Sequence, residues 1–187
     1  MTSRTSIVSV MLGGIGLVSA SASGSHPPAY VWNVSGSVPV GLYRVESIDR
    51  LDIADLVVVA PPEPLASLLA ERGYLPKGVP MLKQVLAVAG ATVCRHGNAI
   101  VAYGMVYGRA LDRDRSDRLL PSWQGCRVVP DKQAFLMNWD AADSFDSRYF
   151  GPLPIVSIVG RAVPVWTAEQ SEPAPARSGN SPSSGEP

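Results

Sequence analysis

Three short segments of this chain carry residues whose types and spacing could do chemistry. The first is Asn33-Val-Ser35-Gly-Ser37-Val-Pro39-Val-Gly41-Leu-Tyr43, with two serines one residue apart in a Gly- and Pro-rich stretch. A serine hydroxyl is a weak nucleophile and needs a base beside it. The second segment, Met81 to Gly90, offers one: Lys83 is the single charge between Lys77 and Arg95, set inside an apolar run. Burial lowers a lysine's pKa and makes its neutral amine available as a base. The third is Ser144-Phe-Asp146-Ser147-Arg148-Tyr149-Phe150-Gly151-Pro152. Each segment alone also has a plain reading. Serines near Gly and Pro make a loop, a lysine in an apolar strand marks a sheet edge or snorkels to solvent, and an exposed Asp–Arg pair contributes little.

Composition narrows the chemistry further. The 187 residues hold 16 basic and 16 acidic side chains, so no whole-chain field favours nucleic acid or an anionic surface. Only two histidines are present, His26 and His96, and two cysteines, Cys94 and Cys126. A four-thiolate zinc site is excluded, and a site of two thiolates and two imidazoles would use every Cys and His in the chain. A histidine-based dyad has just two candidates, so in an enzyme a base of another kind is expected.

The elements that must position these groups divide into three parts. Residues 6–22, SIVSVMLGGIGLVSASA, carry no charge and follow Arg4. That is near the lower limit for crossing about 30 Å of hydrocarbon. With no further Lys or Arg until Arg44, the pattern predicts the N-terminus inside and the rest exported. The run reads as an uncleaved anchor or as a signal peptide ending in Ala20-Ser21-Ala22. A buried core helix is disfavoured by its Gly and Ser content. The expected organisation is a short cytoplasmic N-terminus (1–5), an anchor or signal (6–24), an exported body (25–168) and a Pro- and Ser-rich disordered tail (169–187).

In the body, β-branched runs alternate with turn signals. They fall at residues 41–45, 56–60, 81–89, 92–95, 99–101, 127–129, 133–137 and 155–165. One helix is expected with Pro64 at a first-turn position, Leu65, Leu68 and Leu69 on one face and Gly73 ending it. The fold expected is mainly β, a sandwich or partly open barrel with one short helix, preceded by a transmembrane helix. In an exported chain, Cys94 and Cys126 are most simply a disulfide. The alternative, a Cys94–His96 dyad on one strand face, stays open at this point.

In this order and after an export signal, the three segments resemble the type I signal peptidase clan of Ser–Lys proteases. The SVPVGLY version of the first box is similar to the TraF-type conjugative-transfer branch, since general signal peptidases usually have Met where this chain has Val38. The resemblance covers nearly all of residues 30–166, including Gly160-Arg161-Ala162. It departs at Ala89-Gly90-Ala91, where Pro-Gly-Asp is common in the family.

The resemblance implies roles for individual residues. Ser37 would be the nucleophile and Lys83 the general base. Ser35 would join the Ser37 backbone N–H in the oxyanion hole, and Ser144 would orient the lysine amine. Asp146 and Arg148 would form an ion pair bracing the site, although the aspartate has been given a more direct role in TraF-type enzymes. It further implies a signal-peptidase-like body in the bacterial periplasm on an inner-membrane anchor, acting without metal or organic cofactor. The expected substrate is an exported precursor such as a conjugative pilin, cleaved or closed into a ring, with no nucleic acid as partner. Two other readings remain: a general signal peptidase removing leader peptides, and a non-catalytic component of a secretion complex.

Overall fold

The computed structural model describes residues 4–22 and 28–168. The chain's first helix, α1 (Arg4–Ala22), takes up the uncharged run. Among the described residues, no helix is long and apolar enough to cross a membrane. The expected disordered tail, residues 169–187, lies outside the described residues, as does His26.

Among the described residues, eleven strands form two antiparallel sheets. β1 (Tyr30–Asn33), β2 (Gly41–Glu46), β3 (Leu56–Val59), β4 (Met81–Val88), β9 (Gln133–Leu136), β10 (Leu153–Pro154) and β11 (Ile158–Thr167) make the larger sheet, in the order β1-β2-β11-β3-β4-β9-β10. β5 (Thr92–His96), β6 (Ala99–Ala102), β7 (Met105–Arg109) and β8 (Gly125–Val128) make the smaller one, ordered β7-β6-β5-β8. The mainly-β expectation therefore holds, with the architecture resolved into two sheets.

Helix α2 (Leu65–Glu71) forms where the leucine spacing predicts it. Pro64 is its N-cap rather than a first-turn residue, and the peptide before it is cis. Gly73, at φ +68°, ends the helix in the left-handed conformation that suits glycine. A four-residue helix, α3 (Ser147–Phe150), and a short 3-10 turn, Ile155–Ser157, complete the described helices.

The core explains why β4 sits where it does. Its burial is nearly continuous, as expected for a strand with neighbours on both sides and packing on both faces. Met81 and Val85 pack with Val57, Val59, Leu136 and the α2 leucines Leu65 and Leu69. Leu86 and Ala87 pack between the sheets with Val93, Ile100, Phe135 and Met137. Leu82 joins Val38, Tyr43 and Val58 in a third cluster beneath the first serine segment. Gly41, just after that segment, has no room for a side chain: a Cβ there would lie 2.1 Å from the Trp166 carbonyl oxygen on β11.

Candidate active site

The first serine segment is the turn joining β1 to β2, and a buried asparagine shapes it. The Asn33 amide nitrogen donates to the carbonyls of Ser35 (2.9 Å), Val38 (3.1 Å) and Pro39 (3.1 Å). Its oxygen accepts from the Ser35 backbone N–H (3.1 Å) and the Ser35 hydroxyl (2.8 Å). Tyr43 adds a hydroxyl bond to the Pro39 carbonyl at 2.6 Å. The loop is thereby fixed from inside rather than left to its Gly and Pro content. Ser35 Oγ lies 3.1 Å from Ser37 Oγ. Because the one Ser35 proton is given to Asn33, the Ser37 hydroxyl is the donor between the two serines.

Lys83 is not at a sheet edge. β4 runs between β3 and β9, and Lys83 pairs with Val57 on one side. The side chain is only 5% exposed. Alternation along the strand puts it on the face of Met81 and Val85, under α2, while Leu82 and Leu86 point to other clusters. Its amine donates to Ser144 Oγ at 2.7 Å. Burial pushes the Lys83 pKa down to about 8; the Asp146 carboxylate pulls upward and the Arg148 guanidinium adds to the lowering.

Ser144 ends a loop held by a buried ion pair. Asp146 and Arg148 are both fully buried, 2.8 Å apart. Asp146 caps α3 by accepting from the Arg148 backbone N–H at 3.1 Å. The guanidinium also donates to the carbonyls of Ala141 (2.7 Å), Ser144 (3.1 Å), Arg109 (3.2 Å) and Asn138 (3.3 Å). These bonds satisfy the fork that burial would otherwise leave exposed to desolvation cost. The pair is a structural clamp rather than the weak exposed contact that the segment suggests in isolation.

Ser35, Ser37, Lys83 and Ser144 line one cleft of about 990 Å³. Asp146 and Arg148 stand behind its wall and are not among its lining residues. Within the cleft, Ser37 is bonded to Ser35 and Lys83 to Ser144, with no bond joining the two pairs. Ser37 and Lys83 thus share the cleft as members of two separate hydrogen-bonded pairs. The cleft rim is charged, and Asp114 bridges it by accepting from Tyr74 Oη and from Arg118 Nε.

The cysteines lie apart from this cleft. Cys94 and Cys126 form a disulfide, directly opposite one another on β5 and β8. No free cysteine remains among the described residues, which removes the Cys94–His96 dyad. His96 sits within 4.8 Å of both sulfurs, but the disulfide takes up both thiols.

Three polar residues escape a reading of the sequence. Asn33 stands in the first segment without an assigned task, and only its place before two serines hints at one. Asn138 is a single amide just past β9 and carries no sequence signal. Arg95, 1% exposed, donates to the Arg148 carbonyl at 3.2 Å and to the Gly97 carbonyl at 3.0 Å; its alternating place in β5 would have suggested burial.

The family model described as signal peptidase, peptidase S26, matches residues 4–167. A probable conjugal transfer protein TraF from Sinorhizobium fredii is 35% identical over 170 residues, covering 86% of this chain and 87% of its own. A conjugal transfer protein TraF from Agrobacterium fabrum is 36% identical over 149 residues, covering 74% and 82%. A solved signal peptidase I from Enterococcus faecalis V583 overlaps 62% of this chain at 17% identity, with a TM-score of 0.37, too loose a likeness to argue from. With the family model spanning nearly the whole described body, the chain belongs to the signal peptidase family, peptidase S26.

Proposed function

We propose that this protein is a membrane-anchored serine endopeptidase that processes an exported precursor through a Ser37–Lys83 dyad. The observation that carries the reading is Lys83. A lysine buried in a central strand, bonded to Ser144 and titrating near 8, shares a cleft with a half-buried serine. Structural lysines are seldom kept in such a place, because burying the charged form is costly.

The Ser37 hydroxyl turns from Ser35 toward neutral Lys83, which takes its proton as Oγ attacks the scissile carbonyl. The oxyanion is received by the Ser37 backbone N–H and by the Ser35 hydroxyl, which must release Asn33 to donate. Collapse breaks the C–N bond, and the Lys83 ammonium returns its proton to the leaving amine. Water, activated by the neutral lysine, then cleaves the acyl-enzyme. An amine in place of water would instead join two peptide ends. Asp146 and Arg148 act from behind the wall by fixing the loop that carries Ser144.

The substrate reading rests on relatives named as conjugal transfer proteins TraF. We assign a conjugative pilin precursor as the substrate and the periplasmic side of the inner membrane as the place of action. The anchor reading rests on the uncharged run of residues 6–22 and on the exposed apolar side chains of α1, among them Ile7, Val10, Met11, Leu12 and Ile15, and not on a membrane-crossing helix among the described residues.

The test is to express the pilin precursor with the wild type, Ser37→Ala or Lys83→Ala and to read its mass. The precursor should shorten only with the wild type, and a product lighter by one further water shows ring closure. Processing by both variants would overturn the reading.

A further inference from the structure

We propose that Asn138 is a positioning residue for Lys83, its side-chain amide holding the backbone of β4 on both sides of the lysine. The proposal rests on the dyad reading above and gives the buried ion pair a route to the amine.

β9 ends at Leu136, and the last backbone bond it directs at this part of β4 runs from the Met137 N–H to the Gln84 carbonyl, 2.8 Å. Beyond it the chain leaves the sheet for the loop that carries Ser144. The Asn138 side chain continues the ladder where the backbone departs. Its Oδ1 accepts the Gln84 N–H at 2.9 Å, and its Nδ2 donates to the Leu82 carbonyl at 3.1 Å. The two partners fix the amide's orientation, since one supplies a proton and the other receives one. Peptide groups on both sides of Lys83 are thus pinned from the β9 side, while β3 pins the strand through Val57.

Asn138 is itself held by the clamp. Its backbone N–H donates to Asp146 Oδ2 at 3.2 Å, and its carbonyl accepts from Arg148 Nη2 at 3.3 Å. Asn138 is 1% exposed, which leaves no solvent contact to replace these bonds. The ion pair, Asn138 and the lysine strand therefore form one connected unit, although neither charged member lines the cleft.

Removing the amide leaves the Gln84 N–H and the Leu82 carbonyl buried without partners, and the strand must open to water to satisfy them. Water near the ε-amine favours its charged form. The groups facing that amine can be named. Asp146 and Arg148 act on it from the loop, Val57 opposes it on β3, and Leu65 and Leu69 of α2 cover its face. Ser35 and Ser37 are uncharged, and the cleft rim carries Arg72, Asp114, Arg115, Arg118 and Asp143. A side-chain change at residue 138 removes none of these groups.

The chain has three lysines, Lys77, Lys83 and Lys132, so a 13Cε-lysine label gives three resonances. Loss of one in Lys83→Ala assigns Lys83. The full chain in detergent would be titrated as wild type, Asn138→Ala and Asn138→Thr, with folding checked by circular dichroism. Asn138→Ala should raise the Lys83 midpoint by about one unit or more. It should also lower kcat for precursor cleavage about 10–100-fold with KM little changed. Asn138→Thr, whose hydroxyl keeps one partner, should fall between and serves alone if the alanine variant does not fold. An unmoved midpoint in folded variants would overturn the proposal, even if activity fell. The midpoint is read without turnover. Failure of the dyad reading, seen as cleavage by Lys83→Ala, is therefore distinguishable from failure of the Asn138 proposal.

Discussion

Lys83 Nζ and Ser144 Oγ, 61 residues apart in the chain, meet in a buried hydrogen bond of 2.7 Å. The bond fixes the direction of an amine on a flexible four-carbon stem, which burial alone would leave free to rotate. Ser144→Ala should therefore lower kcat about 10–100-fold while leaving KM nearly unchanged, and Ser144→Thr should recover part of the loss. Steady-state kinetics on a precursor peptide checks both.

Ser35 makes a second prediction. Its hydroxyl is exposed to the cleft and is held by Asn33. If it turns to the oxyanion during attack, Ser35→Ala should cost about 10²–10³ in kcat. The Asn33 bonds to the Val38 and Pro39 carbonyls do not involve that hydroxyl, so thermal stability should hardly change. A large loss of stability with unchanged kcat would assign Ser35 to the loop alone.

Lys83 should weaken the fold that buries it. Its pKa lies at about 8 against an ordinary 10.5, so the unfolded chain binds the extra proton between those values and unfolding becomes harder as pH rises. Below pH 8 the burial cost is fully present, on the order of 3 kcal/mol, and above about 10.5 it is gone. Lys83→Met should therefore raise the midpoint of urea unfolding at pH 7, and its advantage should shrink toward pH 10. Equal effects at both pH values would mean that the lysine is not buried in its charged form.

Much of this arrangement is legible in the sequence, and the remainder has physical reasons for being hidden. Alternation and turn signals locate β2 to β6, β9 and β11, because each has buried positions and a Gly- or Pro-marked end, while β8 is exposed throughout and is found by its β-branched residues alone. β7 escapes because Met105–Arg109 is mostly exposed and interrupted by Gly108, and β10 is only two residues long. α3 is a single turn, too short for helical periodicity, and depends on the Asp146 cap. The two serines, Lys83 and the disulfide stand out by residue type and order, whereas Ser144 stands out only through the family resemblance. Whether Lys83 stood at an edge or within the sheet does not, since that depends on β9 returning to pair with β4 from 50 residues downstream. Asn138 was invisible for the same reason: an amide becomes informative only when the two peptide groups it bridges are brought to it.

The central claim is that a buried neutral lysine serves as the base for Ser37. The most direct measurement is kcat/KM for precursor cleavage by the wild-type full chain across pH 5.5–10. The account predicts a rise of about tenfold per pH unit that bends near 8, where the Lys83 amine loses its proton. A bend near about 6.5, the range of histidine, or a profile flat through 8 would contradict it.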